Sequence, residues 1–570
     1  MKKEITALLH SAIQAAYPDV SGLPDAKEIE SFIEIPPDSA MGDFALPCFR
    51  LSKSLKKGAS VIAEALAQHI NAEDIATVRV LGGYVNFALN RENYAKKLFD
   101  EVQEGYGASA EGAGKTICLD YSSINIAKRF HIGHLSTTMI GHSLKRIFDY
   151  LGYKTIGINH LGDWGTQFGK MVCAYKRWGD QETVERRGID EMTDLYVRFH
   201  EEAEKDPALE DEGRAWFKRI EENDPEAMQI FTWFKEVTLR DAERIYDRLG
   251  ITFDYYTGES FYNDKMAPVI QELEEKHLLV ESDGAKVVDL QEDGMPPCLL
   301  LKRDGTTLYA TRDIAAALYR HNTYHFDQCL YVVAYQQELH FKQLFRTLEK
   351  MGYPWAKDMV HVSFGMVSYE GQALSTRGGH VVLLDELLDR AVEKARVIIE
   401  EKSPNLPDKD AVAKQVGVGA VVYTTLQNNR IKDIDFWWDR ALDFEGETGP
   451  YVQYTHARCC SLLKKAEEAG VSMEAPDFAA VSSQEAHDTL MLIGRFPEII
   501  REAALRYEPS MITRHVTKIA QAYNRFYFSY RIVDAEEKGF AAARVRLTEM
   551  VRDVIKTGLF LIGIEAPERM

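Results

Sequence analysis

The sequence predicts an α/β protein: a doubly wound parallel sheet as the central domain, a small α+β module ahead of it and an all-α helical bundle behind it. Three observations carry this reading. Strand, helix and strand patterns alternate from about residue 115 to 175, a hairpin pattern about a Gly-Gly turn closes the first 110 residues, and only helical periodicity is left after about 450. At 570 residues the chain has room for two to four domains. We place them at 1–110, 111–449, with a helical insertion at about 176–250, and 450–570.

In chain order, an amphipathic helix opens the sequence (Ile5, Leu8, Leu9, Ile13) and a second follows near Val61 to Ile70, with a turn-rich stretch, Ile35 to Asp43, between them. Val78 to Leu81 and Tyr84 to Leu89, joined by Gly82 and Gly83, read as a β-hairpin. The Gly, Ala and Ser-rich run from Gly105 to Gly114 is the linker. It ends in Gly112-Ala113-Gly114-Lys115-Thr116, which imitates a phosphate-binding P-loop but has Ser109 where that pattern needs glycine, and precedes a strand instead of following one.

The strand Ile117, Cys118, Leu119 gives way to polar turn formers and then to a helical pattern near Ser136, with Ile140, Leu144, Ile147, Phe148 and Leu151 on one face. A second strand, Lys154 to Ile158, leads into the polar loop Asn159-His160-Leu161-Gly162-Asp163-Trp164-Gly165. The charged insertion carries aromatics at helical spacing (Trp216, Phe217, Phe231, Trp233, Phe234), which read as packed core. The sheet pattern resumes with Tyr256 to Ser260, the run Leu308 to Thr311 leading to Asp313, and the strand Cys329 to Val333 followed by Gln336, Gln337 and Glu338. After Gly365, Met366 and Val367 come a loop over 374–379 and a long amphipathic helix; Val516, Ile519, Ala520, Tyr523 and Tyr527 typify the closing bundle.

Composition narrows the function classes. Charged residues at 27% and hydrophobic ones at 45% describe an ordinary soluble globular chain. No run has the length of a membrane span, and the start is amphipathic without a signal-peptide core, so we expect a cytoplasmic protein with no membrane partner. Seven cysteines without a Cys-x-x-Cys pair argue against structural zinc and against a disulfide framework, and no protein-bound structural metal is expected. A net charge of -20 lowers the prior for a nucleic-acid partner, although a local basic groove can sit on an acidic body.

The candidate site is His131-Ile132-Gly133-His134, at the junction of a strand, a loop and a helix N-terminus. Free amide N–H groups there, two imidazoles and a glycine that permits close approach suit a polyanion such as a nucleotide triphosphate. Alone, these four residues read better as a helix start with two surface histidines. In a parallel sheet, however, the loop from Asn159 to Gly165 falls at the same carboxyl edge.

The His-x-Gly-His pattern occurs in small nucleotidylyltransferases and in class I aminoacyl-tRNA synthetases, and the terminal bundle favours the second. Over essentially its whole length the sequence resembles the arginyl-tRNA synthetases. The telling pieces are Ser122-Ser123-x-Asn125-Ile126-Ala127-Lys128 ahead of the histidine pair, residues 159–169, Tyr309-Ala310-Thr311-Arg312-Asp313, Gln336-Gln337-Glu338-Leu339-His340 and Ser375-Thr376-Arg377. The resemblance implies a class I Rossmann-type catalytic domain and a monomer acting on L-arginine, tRNA-Arg and ATP, the last as its magnesium complex.

It also implies roles. Glu259, Asp313 and Tyr309 surround the guanidinium, whose five donors need acceptors about its plane, while Ser123, Asn125 and Gln337 hold the amino-acid end. His131, Gly133 and His134 serve the ATP phosphates together with Ser375, Thr376 and Arg377. Family relatives commonly carry a Lys-Met-Ser-Lys-Ser loop, but here Ala373-Leu374-Ser375-Thr376-Arg377-Gly378-Gly379 has no lysine; Lys128 is the implied substitute, with Arg377 assisting. Ile124 and Arg129 stand where relatives usually have proline, which predicts a less rigid approach loop with an added charge near the nucleotide. For tRNA, the resemblance implies Tyr84 and Asn86 toward the D-loop, and Tyr451, Tyr454, Arg458, Tyr523, Asn524 and Met570 toward the anticodon. The rival readings are a non-catalytic tRNA-binding relative whose 373–379 loop has decayed, and a nucleotidylyltransferase with a small-molecule acceptor.

Overall fold

The computed structural model describes residues 1–303, 305, 307–373, 382–533 and 538–570. They fall into two units, one of Met1–Tyr106, Leu462–Gly494 and Gln521–Val551, the other of Gly107–Ser461, Arg495–Ala520 and Arg552–Met570.

In the first unit, strands Phe44–Pro47 (β1), Ala76–Leu81 (β2) and Tyr84–Leu89 (β3) form an antiparallel sheet with β3 in the middle. The predicted hairpin is present, and its turn requires glycine. Gly82 has φ +60°, and a Cβ on Gly83 would lie 2.8 Å from the Ala59 Cβ. Asp43, just ahead of β1, accepts from the Leu89 N–H at 2.8 Å and pairs with His487 Nε2 at 2.7 Å, tying the sheet to a helix from the far end of the chain.

In the second unit, Thr116–Asp120 (β4), Lys154–Asn159 (β5) and Tyr255–Tyr256 (β6) run parallel. Between β5 and β6 stand the insertion helices Gln181–Arg187, Ile189–Lys205, Ala208–Glu221 and Pro225–Leu249, with Phe231 and Phe234 buried as the apolar spacing predicts. A small antiparallel sheet follows: Leu279–Ser282 (β7), Ala285–Val288 (β8) and Cys298–Leu301 (β9). Gln328–Tyr331 (β10) and Met359–His361 (β11) then rejoin the parallel sheet on the other side of β4, giving the order β11-β10-β4-β5-β6. β4 and β5 are buried almost throughout, as strands covered on both faces must be; Cys118, Ile156 and Ile158 share a core with Ile314, Ala317 and Leu344. Because the chain leaves β4 in one direction and returns beside it as β10, the carboxyl ends of these two strands flank the switch point where doubly wound sheets bind ligands.

One local expectation is corrected. The run Leu308 to Thr311 is not part of the sheet: Tyr309 opens the helix Tyr309–Tyr324. The Leu308 N–H and the Thr311 hydroxyl both donate to Leu300 O, which ends the extended chain, and buried Ala310, Ile314 and Ala317 recur at helical spacing. The helix expected near Ser136 spans Leu135–Tyr150, preceded by a 3₁₀ turn at Ile132–His134.

Val367–Tyr369 (β12), Gln372–Ala373 (β13) and Ile434–Phe436 (β14) form a third small sheet ordered β13-β12-β14. The loop bearing Ser375, Thr376 and Arg377 leaves β13 and lies outside the described residues. After it come the amphipathic helix Leu384–Lys402 and, among the later helices, Gly449–Glu468, Gln484–Leu505, Ser510–Ser529 and Lys538–Leu561. All seven cysteines are free thiols, and no described helix is long and apolar enough to cross a membrane.

Candidate active site

Beyond β4 the chain crosses the carboxyl edge in a constrained loop in which Ser122, Ser123 and Ala127 all have positive φ, +69°, +48° and +61°. Such conformations cost energy for L residues and persist only where surroundings impose them. Here the bonds are visible. The Ser122 hydroxyl bonds Tyr246 Oη at 2.7 Å, the Ser122 N–H donates to Thr137 Oγ1 at 3.1 Å, the Ala127 N–H donates to Thr238 Oγ1 at 3.1 Å, and the Ser123 hydroxyl donates to Asp120 Oδ1 at 2.8 Å. Asp120 is itself paired with buried Arg320 at 2.8 Å. Ile124 is buried, and Arg129 pairs with Asp190 of the insertion at 2.7 Å. The loop is therefore held by side chains where prolines are missing, and the added charge is compensated.

The loop after β5 lies against it. Gly162 N–H donates to Ile124 O at 2.9 Å and Ile126 N–H to Gly162 O at 3.1 Å, flanking Asn125. A Cβ on Gly162 would stand 2.2 Å from Asn125 Oδ1, so the approach requires glycine.

In the histidine pair, Nδ1 of His131 accepts from the Gly133 N–H at 3.1 Å, Nδ1 of His134 accepts from the His131 N–H at 3.2 Å, and the ring centroids are 3.9 Å apart. An accepting Nδ1 places the remaining hydrogen of a neutral ring on Nε2. Burial, assisted by Lys128, lowers the His131 pKa, and burial followed by the charge of His131 lowers His134 to about 3. Both rings are thus neutral at physiological pH, each with one Nε2–H to donate. The Lys128 side chain is exposed.

On the other flank, Glu259 follows β6. Its carboxyl is pushed up to about 7, chiefly by burial; Arg312 opposes the shift, and the charges of Asp313 and Asp163 add to it. Its cation partner among the described residues, Arg312 Nη1, is 3.9 Å away, too far for a tight pair. Asp313, in the first turn of the Tyr309–Tyr324 helix, accepts from His340 Nε2 at 2.7 Å. Burial lowers the His340 pKa, and the Asp313 hydrogen bond and charge outweigh it, so the net shift is upward. Tyr309, which opens the helix that carries Asp313, is 67% exposed, and Gln337 is exposed at the end of the 3₁₀ turn Tyr335–Gln337 that follows β10. A cleft of about 770 Å³ runs past Ser260, Tyr309 and Arg312 toward Trp164, Phe217 and Phe231. A larger cavity of about 880 Å³, lined by Arg146, Lys414 and Glu565 among others, lies elsewhere, so volume alone does not locate the chemistry.

Family comparisons decide the affiliation. The model of the class I tRNA synthetase (R) catalytic domain matches residues 97–438, that of the arginyl-tRNA synthetase N-terminal domain residues 3–89, and that of the DALR anticodon binding domain residues 452–570. The chain belongs to the arginyl-tRNA synthetase family. It is 53% identical over 548 residues to the arginine–tRNA ligase of Alkaliphilus metalliredigens, covering 95% of this chain and 96% of the relative, and 49% identical to that of Clostridium perfringens, covering 96% and 97%. Among solved structures it is similar to arginyl-tRNA synthetase of Thermus thermophilus, with TM-score 0.83 and 25% identity over the whole of both chains. It shares the fold of the Plasmodium falciparum enzyme, with TM-score 0.81, 22% identity and coverage of 100% and 99%.

The residues expected to face tRNA lie in different settings. Tyr84 is exposed, its ring edge-on to exposed Phe49 at 6.2 Å, whereas Asn86 is buried and turns back to Tyr84 O at 3.5 Å. The Arg458 guanidinium covers the ring of exposed Tyr454 at 4.9 Å, while Tyr451 and Met570 are partly buried. Tyr523 is fully buried with its hydroxyl on Thr548 at 2.8 Å, and Asn524 is buried, so these two occupy core positions. Residue-type reasoning chose an aromatic and an amide whose helical spacing marks them as inward. It also gave no role to Asp163, Arg312 or His340, although all three lie within the quoted motifs.

Proposed function

We propose that the chain charges tRNA-Arg with L-arginine in two steps at the β4/β10 switch point. An arginine carboxylate oxygen attacks the α-phosphorus of ATP in line, pyrophosphate leaves and arginyl-adenylate forms. The 2′-hydroxyl of the terminal adenosine of tRNA then attacks the activated carbonyl and AMP leaves. No covalent bond to the protein is needed, so the protein supplies position and charge.

In this reading Glu259 and Asp313 take the guanidinium, with Tyr309 alongside, and Ser123, Asn125 and Gln337 take the amino-acid end. The Nε2–H groups of His131 and His134 donate to phosphate oxygens, Gly133 admits the phosphates close to the backbone, and Lys128 supplies the cation. Ser375, Thr376 and Arg377 are assigned to ATP on the resemblance alone. ATP is written as its magnesium complex, a substrate and not a resident metal. We further read the protein as cytoplasmic and monomeric, with the three domains at 1–110, 111–449 and 450–570. Tyr84 and Asn86 are assigned to the D-loop side, and Tyr451, Tyr454, Arg458, Tyr523, Asn524 and Met570 to the anticodon side. Asn86, Tyr523 and Asn524 require a rearrangement to reach a base.

The observation that carries the proposal is the partly buried Glu259, short of a close cation among the described residues and near a second acid. A permanently charged guanidinium supplies what that pocket lacks, while lysine leaves acceptors unpaired. Arginine-dependent ATP–pyrophosphate exchange, with and without tRNA-Arg, tests the proposal. Exchange that needs arginine and tRNA supports it; absence of exchange under both conditions supports a tRNA-binding relative without activity.

A further inference from the structure

The loop after β5 does more than close the crevice, because a stretch of three residues touches both ends of the space assigned to arginine. Gly162 forms the backbone pair that flanks Asn125. One residue before it, Leu161 O accepts from the Glu259 N–H at 2.9 Å. One residue after it, Asp163 is fully buried and binds the residue that follows Glu259 twice: Oδ1 accepts from the Ser260 N–H at 2.8 Å and Oδ2 from the Ser260 hydroxyl at 2.7 Å. A Cβ on Gly258 would sit 2.4 Å from Asp163 Oδ1, so the carboxylate packs directly on the residue that precedes Glu259 as well. The backbone is thereby held before, at and after Glu259. The carboxylate in turn takes Lys235 Nζ on Oδ2 at 2.6 Å, and Lys235 belongs to the insertion helix Pro225–Leu249.

We propose that Asp163 is a positioning residue that, held by Lys235 and bonded to Ser260, fixes Glu259 at a set distance from Asn125 and so makes arginine recognition depend on the helical insertion. This rests on the reading of Glu259 as a guanidinium ligand. A bare stabilising role explains the contacts less well. A buried ion pair is weak support for stability by itself, and nothing about stability requires that two of the carboxylate's bonds converge on the neighbour of Glu259.

Charge separates the two explanations. The groups that act on Glu259 are Arg312, Asp313 with His340 behind it, and Asp163 with Lys235 behind it. Asp163→Asn removes a negative neighbour, and Lys235→Met removes the cation that offsets it. The full-length protein with tRNA-Arg is assayed by pyrophosphate exchange across pH for wild type, D163N, K235M, K235R and E259Q. D163N is expected to raise the KM for arginine about tenfold while the KM for ATP stays within about twofold. The acid limb of kcat/KM for arginine is expected at lower pH in D163N and at higher pH in K235M, with K235R restoring the wild-type profile. Equal rises of both KM values, or acid limbs that stay in place or move the same way in both variants, overturn the proposal. If D163N does not fold, the K235M and K235R pair decides by the same criteria. If E259Q leaves the arginine KM unchanged, the ligand reading of Glu259 fails; if E259Q raises it and D163N does not, only the positioning role fails.

Discussion

The two flanks of the switch point are prepared for their ligands in opposite ways. On the flank assigned to ATP, His131 and His134 are neutral, their Nδ1 atoms already accept from backbone N–H groups, and the nearby cation, Lys128, is exposed. On the flank assigned to arginine, the Asp313 carboxylate is held by His340, and Glu259 waits with a proton affinity raised by burial and, among the described residues, its cation partner Arg312 at 3.9 Å. One flank offers oriented donors to a ligand whose charge moves during reaction, so its rings need not change protonation as the phosphates redistribute charge. The other holds an electrostatic deficit that only a cation corrects. Positioning governs the first flank and charge complementarity the second.

The largest expected effect breaks the second flank. Glu259→Gln keeps the shape and removes the charge, and kcat/KM for arginine in pyrophosphate exchange should fall about 10²- to 10³-fold with the KM for ATP nearly unchanged. Equal loss toward both substrates would end the assignment of this carboxyl to arginine. Lys128→Ala attacks the first flank: an expected drop of about 10²-fold in the rate of exchange, with the arginine KM little altered. A wild-type rate in that variant removes Lys128 from the reaction and leaves the missing lysine of the 373–379 loop without a substitute.

pH sharpens the contrast without mutation. Glu259 must be ionised to attract a guanidinium, and its carboxyl sits at about 7 in the free protein, so kcat/KM for arginine should decline by about tenfold per pH unit on the acid side. Burial lowers the pKa of both histidines, that of His134 to about 3, so any acid limb of kcat/KM for ATP should lie at lower pH than that for arginine. Two coincident acid limbs would mean that one group controls both flanks.

How much of this was legible in the sequence follows from which interactions are local. The hairpin about Gly82 and Gly83, the strand–loop–helix around His131 and the terminal helices depend on periodicity and turn chemistry within a few residues, and they stand where expected. The sheet β7-β8-β9 escaped notice because β7 and much of β8 are exposed and lack a buried face to pattern their sequence. The Tyr309 run misled because four residues cannot separate a strand from a helix start. Asp163, Lys235 and Ser260 lie up to 97 positions apart, so no spacing rule could join them. The tilt of Tyr523 into the core was in principle readable, since Val516, Ile519, Ala520 and Tyr523 share one helical stripe.

The smallest expected effect concerns stability, and it tests whether the deficit at Glu259 is real. Its carboxyl titrates at about 7 folded against an ordinary value of 4.5, so the folded protein favours the protonated acid. For a group raised in this way, the stabilising contribution is complete below the unfolded value and is lost as pH rises through the folded one. At pH 8 the ionised carboxylate therefore weighs on the empty protein, and glutamine, which cannot ionise, does not carry that burden. Glu259→Gln should raise Tm by about 1–2 °C relative to wild type at pH 8, and by less at pH 5. Saturating arginine should reverse the order at pH 8, since the guanidinium stabilises only the protein that holds the charge. Thermal melts at the two pH values, with and without arginine, measure all four states. A Tm difference that ignores pH would show that Glu259 is already neutralised in the empty site, and the contrast between the two flanks would then lose its electrostatic basis.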